Sequence, residues 1–154
     1  MKALAKIIAG VTICIVIIGS FWFLYGSNNF EVPFETIDKG EISGYESRDN
    51  VTIRDGLAWE DLWTEMQSIY SHPDDLPEVN FAEEIVIGVF RGYCGSGGYR
   101  IRITRIALTE TNYIVYVEES LHGGFTCVIT YPYHVVKISG YPLNLPVQFV
   151  FSMV

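Results

Sequence analysis

The chain is poor in histidine, cysteine and basic side chains, and each shortage closes a class of function. Its 154 residues carry only 10 lysines and arginines against 18 aspartates and glutamates, a net charge of −8. A nucleic-acid partner is excluded, because binding one needs a basic surface that releases counterions from phosphate. The three histidines, His72, His122 and His134, have none of the short spacings of a metal site, so no metal or cofactor is expected. Disorder is excluded too, since apolar residues make up 49% of the chain. Internal repeats and low-complexity tracts are absent.

Catalytic constellations are equally scarce. The run Gly95-Ser96-Gly97-Gly98 fits neither the dinucleotide fingerprint nor the P-loop, and a strand pattern follows it where an anion site would need a helix N-terminus. The acid pairs Glu83-Glu84 and Glu118-Glu119 lie in strand patterns, where adjacent side chains point to opposite faces, so neither makes a carboxylate dyad. Asp74-Asp75 lacks the remaining ligands of a calcium site. Cys94 lies in no strand-to-helix elbow and has no base fixed beside it by sequence. The chain is therefore expected not to be an enzyme.

Charge is missing altogether from Ile7 to Tyr25, nineteen residues dominated by Ile, Val, Phe and Leu. About 20 such residues span a hydrocarbon core of roughly 30 Å. Lys2 and Lys6 precede the run, and every acidic residue follows it. Positive charge stays on the cytoplasmic side, so the expectation is a single-pass signal anchor with residues 1–6 cytoplasmic and the rest extracytoplasmic. Trp22 and Tyr25 fall at the outer interface. The run exceeds the core of a cleaved signal peptide, about 7–15 residues, and Leu24-Tyr25-Gly26 gives no small-x-small site, the alternative being cleavage at Gly26-Ser27-Asn28. Cys14 follows Ile13 in mid-span and is no lipidation site. Residues 26–33 read as a tether and 34–154 as the extracytoplasmic domain.

That domain reads as mainly β with one helix. Val51-Thr52-Ile53 alternates and ends at Asp55-Gly56. Trp59, Leu62, Trp63, Met66 and Ile69 recur at helical spacing, with Glu60, Asp61 and Glu65 on the other face and acids near the positive N-terminal end. Trp59 and Trp63 should pack this helix onto a sheet. Residues 71–79 form a loop punctuated by Pro73 and Pro77. Ile85 to Phe90, apolar on both faces, is a central strand covered on both sides. Arg100 to Leu108 alternates but switches parity near Thr104-Arg105, which predicts a bulge. Tyr113 to Glu119 pairs back across Glu110-Thr111-Asn112 and should set Arg102 beside Glu119. Strands are also expected at Phe125 to Tyr131, at Tyr133 to Ile138 with His134 as a hydrogen-bonded core residue, and at Val147 to Met153. The expected fold is α+β, an antiparallel sheet or sandwich-like domain carrying one amphipathic helix and preceded by a transmembrane helix.

Cys94 and Cys127 lie beyond the span, and an oxidising compartment with an even count favours a disulfide, the alternative being two free thiols. A bridge would close about 30 residues and contribute about 2–4 kcal/mol. The glycines around Gly97 and Gly98 either permit close approach at a strand junction or form a recognition loop. Tyr93, Tyr99, Tyr131, Tyr133 and Tyr141 cluster around glycine and proline turns, Gly97, Gly98 and Pro132 among them, either packed or offering contact area at low entropic cost.

Taken in order, Trp59 and Trp63, then Val79-Asn80-Phe81 leading into Ile85 to Phe90, then Gly97-Gly98-Tyr99, then Tyr131-Pro132-Tyr133-His134-Val135-Val136-Lys137 resemble the C-terminal domain of PrcB-type protease-complex subunits. The resemblance covers about Phe34 to Ile138. It implies a non-catalytic, extracytoplasmic β-rich domain; the name-giving subunit is a surface lipoprotein that associates with a subtilisin-like protease and helps stabilise it. This chain departs from that pattern in using a membrane span in place of a lipidated cysteine. The expected function is a membrane-tethered protein-interaction domain supporting a surface protease complex, and the alternative is an inhibitor-like module that binds through its Gly/Tyr loops.

Overall fold

The computed structural model describes residues 29–120 and 127–154. No helix among them is long and apolar enough to cross a membrane; Ile7 to Tyr25 and His122 lie outside the described residues.

Among the described residues eight strands and one helix follow in the order β1 (Phe30–Glu31), β2 (Glu35–Gly40), β3 (Asp49–Ile53), α1 (Gly56–Gln67), β4 (Glu84–Phe90), β5 (Arg100–Leu108), β6 (Tyr113–Ser120), β7 (Tyr133–Ser139) and β8 (Val147–Met153). They build two four-stranded sheets, ordered β1-β5-β6-β8 and β2-β7-β4-β3. The second is antiparallel throughout and the first is antiparallel except that β8 runs parallel to β6, so the pairing is mainly antiparallel, as expected, with one parallel pair. Parallel neighbours need a long crossover, and here the chain passes through β7 in the other sheet before returning.

β4 shows why the domain has three layers. Its Ile85, Ile87 and Val89 enter the core between the sheets, where they meet Ile101, Ile106, Val115 and Val117. Its Val86 and Phe90 face the other way, under Trp59, Leu62, Trp63 and Met66 of α1. A strand apolar on both faces is thus central, as its sequence predicted.

Asp55 caps α1 by accepting the Ala58 amide at 2.9 Å, which satisfies one of the orphan donors at the helix start. The acids expected near that end fall later: none lies in the first turn, and the cap takes their place. The helix stops at Gln67, so Ile69 is half exposed and outside it. The loop after the helix is strapped down by the helix itself. The Trp59 indole donates to the Pro77 carbonyl at 2.9 Å, Trp63 donates to the Asp74 carbonyl at 3.1 Å, and the Asp74 amide donates to Gln67 Oε1 at 3.0 Å.

Three further expectations are corrected. The tether does not reach residue 33: Phe30–Glu31 pairs with β5, and the buried Val32 donates its amide to the Ile106 carbonyl. The strand expected from Phe125 to Tyr131 shrinks, over its described part, to a single bridge between Thr130 and Cys94. Arg102 pairs with Glu118, not Glu119. The bulge predicted near Thr104-Arg105 is present as a register shift between Ile103 and Arg105, and it moves the far half of the hairpin by one residue. The extra residue sits in β5 and exchanges the faces of that strand beyond it, so Arg102 meets Glu118 outside, while Glu119 keeps the inward parity of Tyr113, Val115 and Val117.

Candidate functional site: a pinned loop pair at one end of the sandwich

The site is assembled from the chain on either side of Cys94 and of Thr130. Amide and carbonyl of Cys94 exchange hydrogen bonds with those of Thr130 at 2.8 and 2.9 Å, and the Thr130 hydroxyl donates to the Ser96 carbonyl at 3.2 Å. The Arg91 amide donates to the Pro132 carbonyl, and the Tyr131 amide to the Glu41 carbonyl, both at 2.9 Å. Two loops are thereby joined to each other and to the frame. Gly92 makes the turn out of β4 at φ 77°, and a Cβ there would lie 2.8 Å from the Arg48 amide nitrogen. Only glycine combines that conformation with that approach.

Beneath the loops lies an ion-pair cluster centred on a buried carboxylate, with Arg91 nearly buried and Arg48 more than half exposed. Glu119, 2% exposed, accepts from Arg48 Nη2 and from Arg91 Nε, the latter at 3.2 Å. Arg91, nearly buried, extends this link into the glycine loop: its Nη1 donates to Cys94 Sγ at 2.9 Å and its guanidinium stacks 4.2 Å over the Tyr99 ring. One carboxylate at the end of β6 therefore fixes the arginine that positions both Cys94 and Tyr99. Desolvated charges paired in this way are costly to break, and a guanidinium over an aromatic face adds attraction.

The disulfide is corrected by the same geometry. Cys94 and Cys127 are both free, one buried and one exposed. Thr130, not Cys127, stands opposite Cys94, whose sulfur faces Arg91 and the Gly92 carbonyl.

Several large apolar side chains of the loops stand in solvent. Tyr93 is 64% exposed, Val128 and Ile129 are each 51% exposed, and the half-buried Tyr131 meets the Tyr93 ring edge-on at 6.1 Å. Of the residues the sequence assigned to a binding surface, Tyr93 and Tyr131 lie together, Gly98 turns the loop at φ 90°, and Tyr99 is half buried beneath Arg91. Gly97, Pro132 and Tyr133 are buried. Tyr133 packs under α1 and donates to Asp38 at 2.7 Å; burial first, and that hydrogen bond second, raise its phenol far above the ordinary range. Val128 and Ile129 were missed because they read as interior strand residues.

An open cleft of about 710 Å³ adjoins the loops, between β2 and the half of β5 that β1 leaves uncovered. Its Lys39, Arg100 and Arg102 are offset by Glu41, Glu118 and Glu119. His134 forms its floor and does not offer a free ring nitrogen. Nδ1 accepts the Ile103 amide at 2.9 Å, which leaves Nε2 to donate to the Thr36 hydroxyl at 3.0 Å. Burial first and Lys39 second, against a smaller opposing effect of Asp38, lower its pKa to about 4. Unfolding returns the imidazole to its ordinary value near 6.5, so between pH 6.5 and 4 the unfolded chain binds the proton more readily. The resulting stability, about 3 kcal/mol, is complete above pH 6.5 and is lost as the pH falls toward 4. Urea midpoints measured across that range should show this extra slope in the parent, and lack it in His134→Gln, whose amide oxygen accepts without titrating.

Among the described residues no group of three His, Cys, Asp or Glu side chains could hold a metal ion. The fold and the site define a mainly β, two-sheet domain that carries one packed helix and presents a braced aromatic loop pair. Residues 85–139 match the family described as PrcB C-terminal, the family that the sequence resembles. The match runs from β4 through β7 and takes in both loops. No curated protein and no solved structure matches the chain.

Proposed function

We propose that this chain is a non-catalytic, membrane-tethered subunit of an extracytoplasmic protease complex, and that it grips its partner through the ridge formed by Tyr93, Val128, Ile129 and Tyr131. The observation that carries this reading is the exposure of Tyr93, Val128 and Ile129 on loops that are hydrogen-bonded to each other and braced by Arg91. Large apolar side chains left in water on a fixed frame mark a contact surface. Aromatic anchors held in place bind without a large ordering cost. The family match supplies the protease-complex context, and the uncharged run from Ile7 to Tyr25 supplies the tether.

The test uses the full chain in its own membranes. It should stay in the pellet through an alkaline carbonate wash, and after mild detergent extraction it should capture a polypeptide labelled by a fluorophosphonate, the probe for an active serine hydrolase. Val128→Asp and Tyr93→Ala alter only exposed side chains, so they should fold normally and lower the captured label at least tenfold. Release by carbonate would refute the tether. Capture that neither substitution weakens would refute the ridge, and absence of any labelled polypeptide would refute the serine-protease partner.

A further inference from the structure

Each sheet ends in two edge strands, and an edge strand offers a row of backbone donors and acceptors to any passing strand. Three of the four edges here carry the usual protection. β1 is only two residues long. β2 holds Glu35, Asp38 and Lys39 and has a register shift between Thr36 and Asp38. β3 begins at Asp49 and is followed by Arg54. β8 has none of these devices. It runs seven residues from Val147 to Met153, in unbroken register with β6, without a charge or a proline. No described residue pairs with its outer edge.

The order of residues along β8 identifies what fits there. Around Val150 the strand is a palindrome in chemical character: Phe149 matches Phe151, Gln148 matches Ser152, and Val147 matches Met153. Antiparallel pairing of two such strands about a two-fold axis at Val150 places each of these residues opposite its match, on the same face. Apolar side chains then meet apolar ones and the polar pair meets itself, with no like charges across the axis. The exposures agree. Val147 and Phe149 pack on the core, but Phe151 and Met153, on the same face, run past it and stay 43% and 72% exposed. In the two-fold arrangement the second strand lays its Phe149 and Val147 beside them.

We propose that β8 is a homodimer interface: two copies of this chain join β8 to β8, antiparallel and centred on Val150, into one continuous eight-stranded sheet. This interface lies outside the segment that matches the family and apart from the aromatic loop ridge. A C2 interface must be self-complementary, each residue meeting its symmetry mate, and the palindrome meets that condition.

The test is the mass of the full chain in detergent, by light scattering corrected for bound detergent, across a micromolar concentration series. The parent should be a dimer of the 17.4 kDa chain. Val150→Thr should remain dimeric, whereas Val150→Lys, which sets two ammonium groups face to face, should weaken the dimer at least thirtyfold. A parent that is monomeric throughout overturns the proposal, and so does a dimer indifferent to Val150→Lys, which would place the contact elsewhere, the N-terminal apolar run included. Should circular dichroism show Val150→Lys unfolded, Val150→Cys decides. Mild oxidation should cross-link it through residue 150, because directly opposed Cα atoms lie about 4.5–5.5 Å apart, within reach of a disulfide. Failure of Val150→Cys to cross-link beyond the parent's level refutes the register.

Discussion

Glu119→Ala is expected to destabilise the domain by about 3–5 kcal/mol, while the same change at its neighbour Glu118 costs less than about 1 kcal/mol. The two glutamates are adjacent in sequence and differ only in the face they occupy. Glu118 pairs with Arg102 in solvent. Glu119 is enclosed, and its loss leaves the nearly buried Arg91 without its carboxylate. An unpaired buried guanidinium swings away from Tyr99 and Cys94 or draws water in, and either response loosens the glycine loop. Urea denaturation of the two variants measures the contrast. Equal costs at the two positions would mean that Glu119 is not the buried anchor described here. The loop ridge should also suffer first: in Glu119→Ala, amide hydrogens of residues 92–99 should exchange faster under conditions where β4 stays protected.

Trp59→Ala is expected to cost about 3–5 kcal/mol, the range for deleting a large buried aromatic side chain. The residue is 1% exposed, packs against Trp63 at 5.4 Å between ring centroids, and ties the Pro77 carbonyl to the helix. Trp59→Phe separates the two contributions. It keeps most of the packing but abandons the hydrogen bond, and a cost of about 1–2 kcal/mol should remain. Thermal or urea unfolding measures both, and faster amide exchange across residues 71–79 in Trp59→Phe would report release of the strap. A Trp59→Ala variant as stable as the parent would show that α1 is not clamped to the sheet.

How far the sequence reached depended on how local each signal was. The α1 stripe as far as Met66, the two-faced apolar β4 and the parity switch in β5 are short-range patterns, and each matches the structure. The Arg102 partner differs from the expected Glu119 because the bulge shifts the pairing beyond it. The turn at residues 110–112 sets the register of the hairpin's near half, and the bulge displaces the far half by one residue. The most consequential charge is placed by β6 alone. In β6, Tyr113, Val115, Val117 and Glu119 share one face, and the first three are buried. An acid in phase with an apolar stripe signals a buried carboxylate in need of a cation, so Glu119 was legible. Arg48 and Arg91 were not, since nothing local brings residues 48, 91 and 119 together. The disulfide failed for a similar reason: cysteine count and compartment are global cues, whereas a bridge needs two sulfurs aimed at each other, and the Cys94–Thr130 register forbids it. Tyr133 belongs with the core because strand parity turns its ring under α1, although its neighbours Tyr131 and Pro132 mark a turn.

The claim on which the functional reading depends is that the ridge at Tyr93, Val128 and Ile129 is where a protease partner sits. Site-specific photo-cross-linking in intact membranes tests it most directly, with a benzophenone amino acid placed at residue 128 of the full chain and, as a control, at the exposed Leu57 at the start of α1. The account predicts a cross-link from residue 128, and none from residue 57, to a polypeptide that carries a fluorophosphonate label. Cross-links of equal yield from both positions, or a labelled adduct from residue 57 alone, would contradict it.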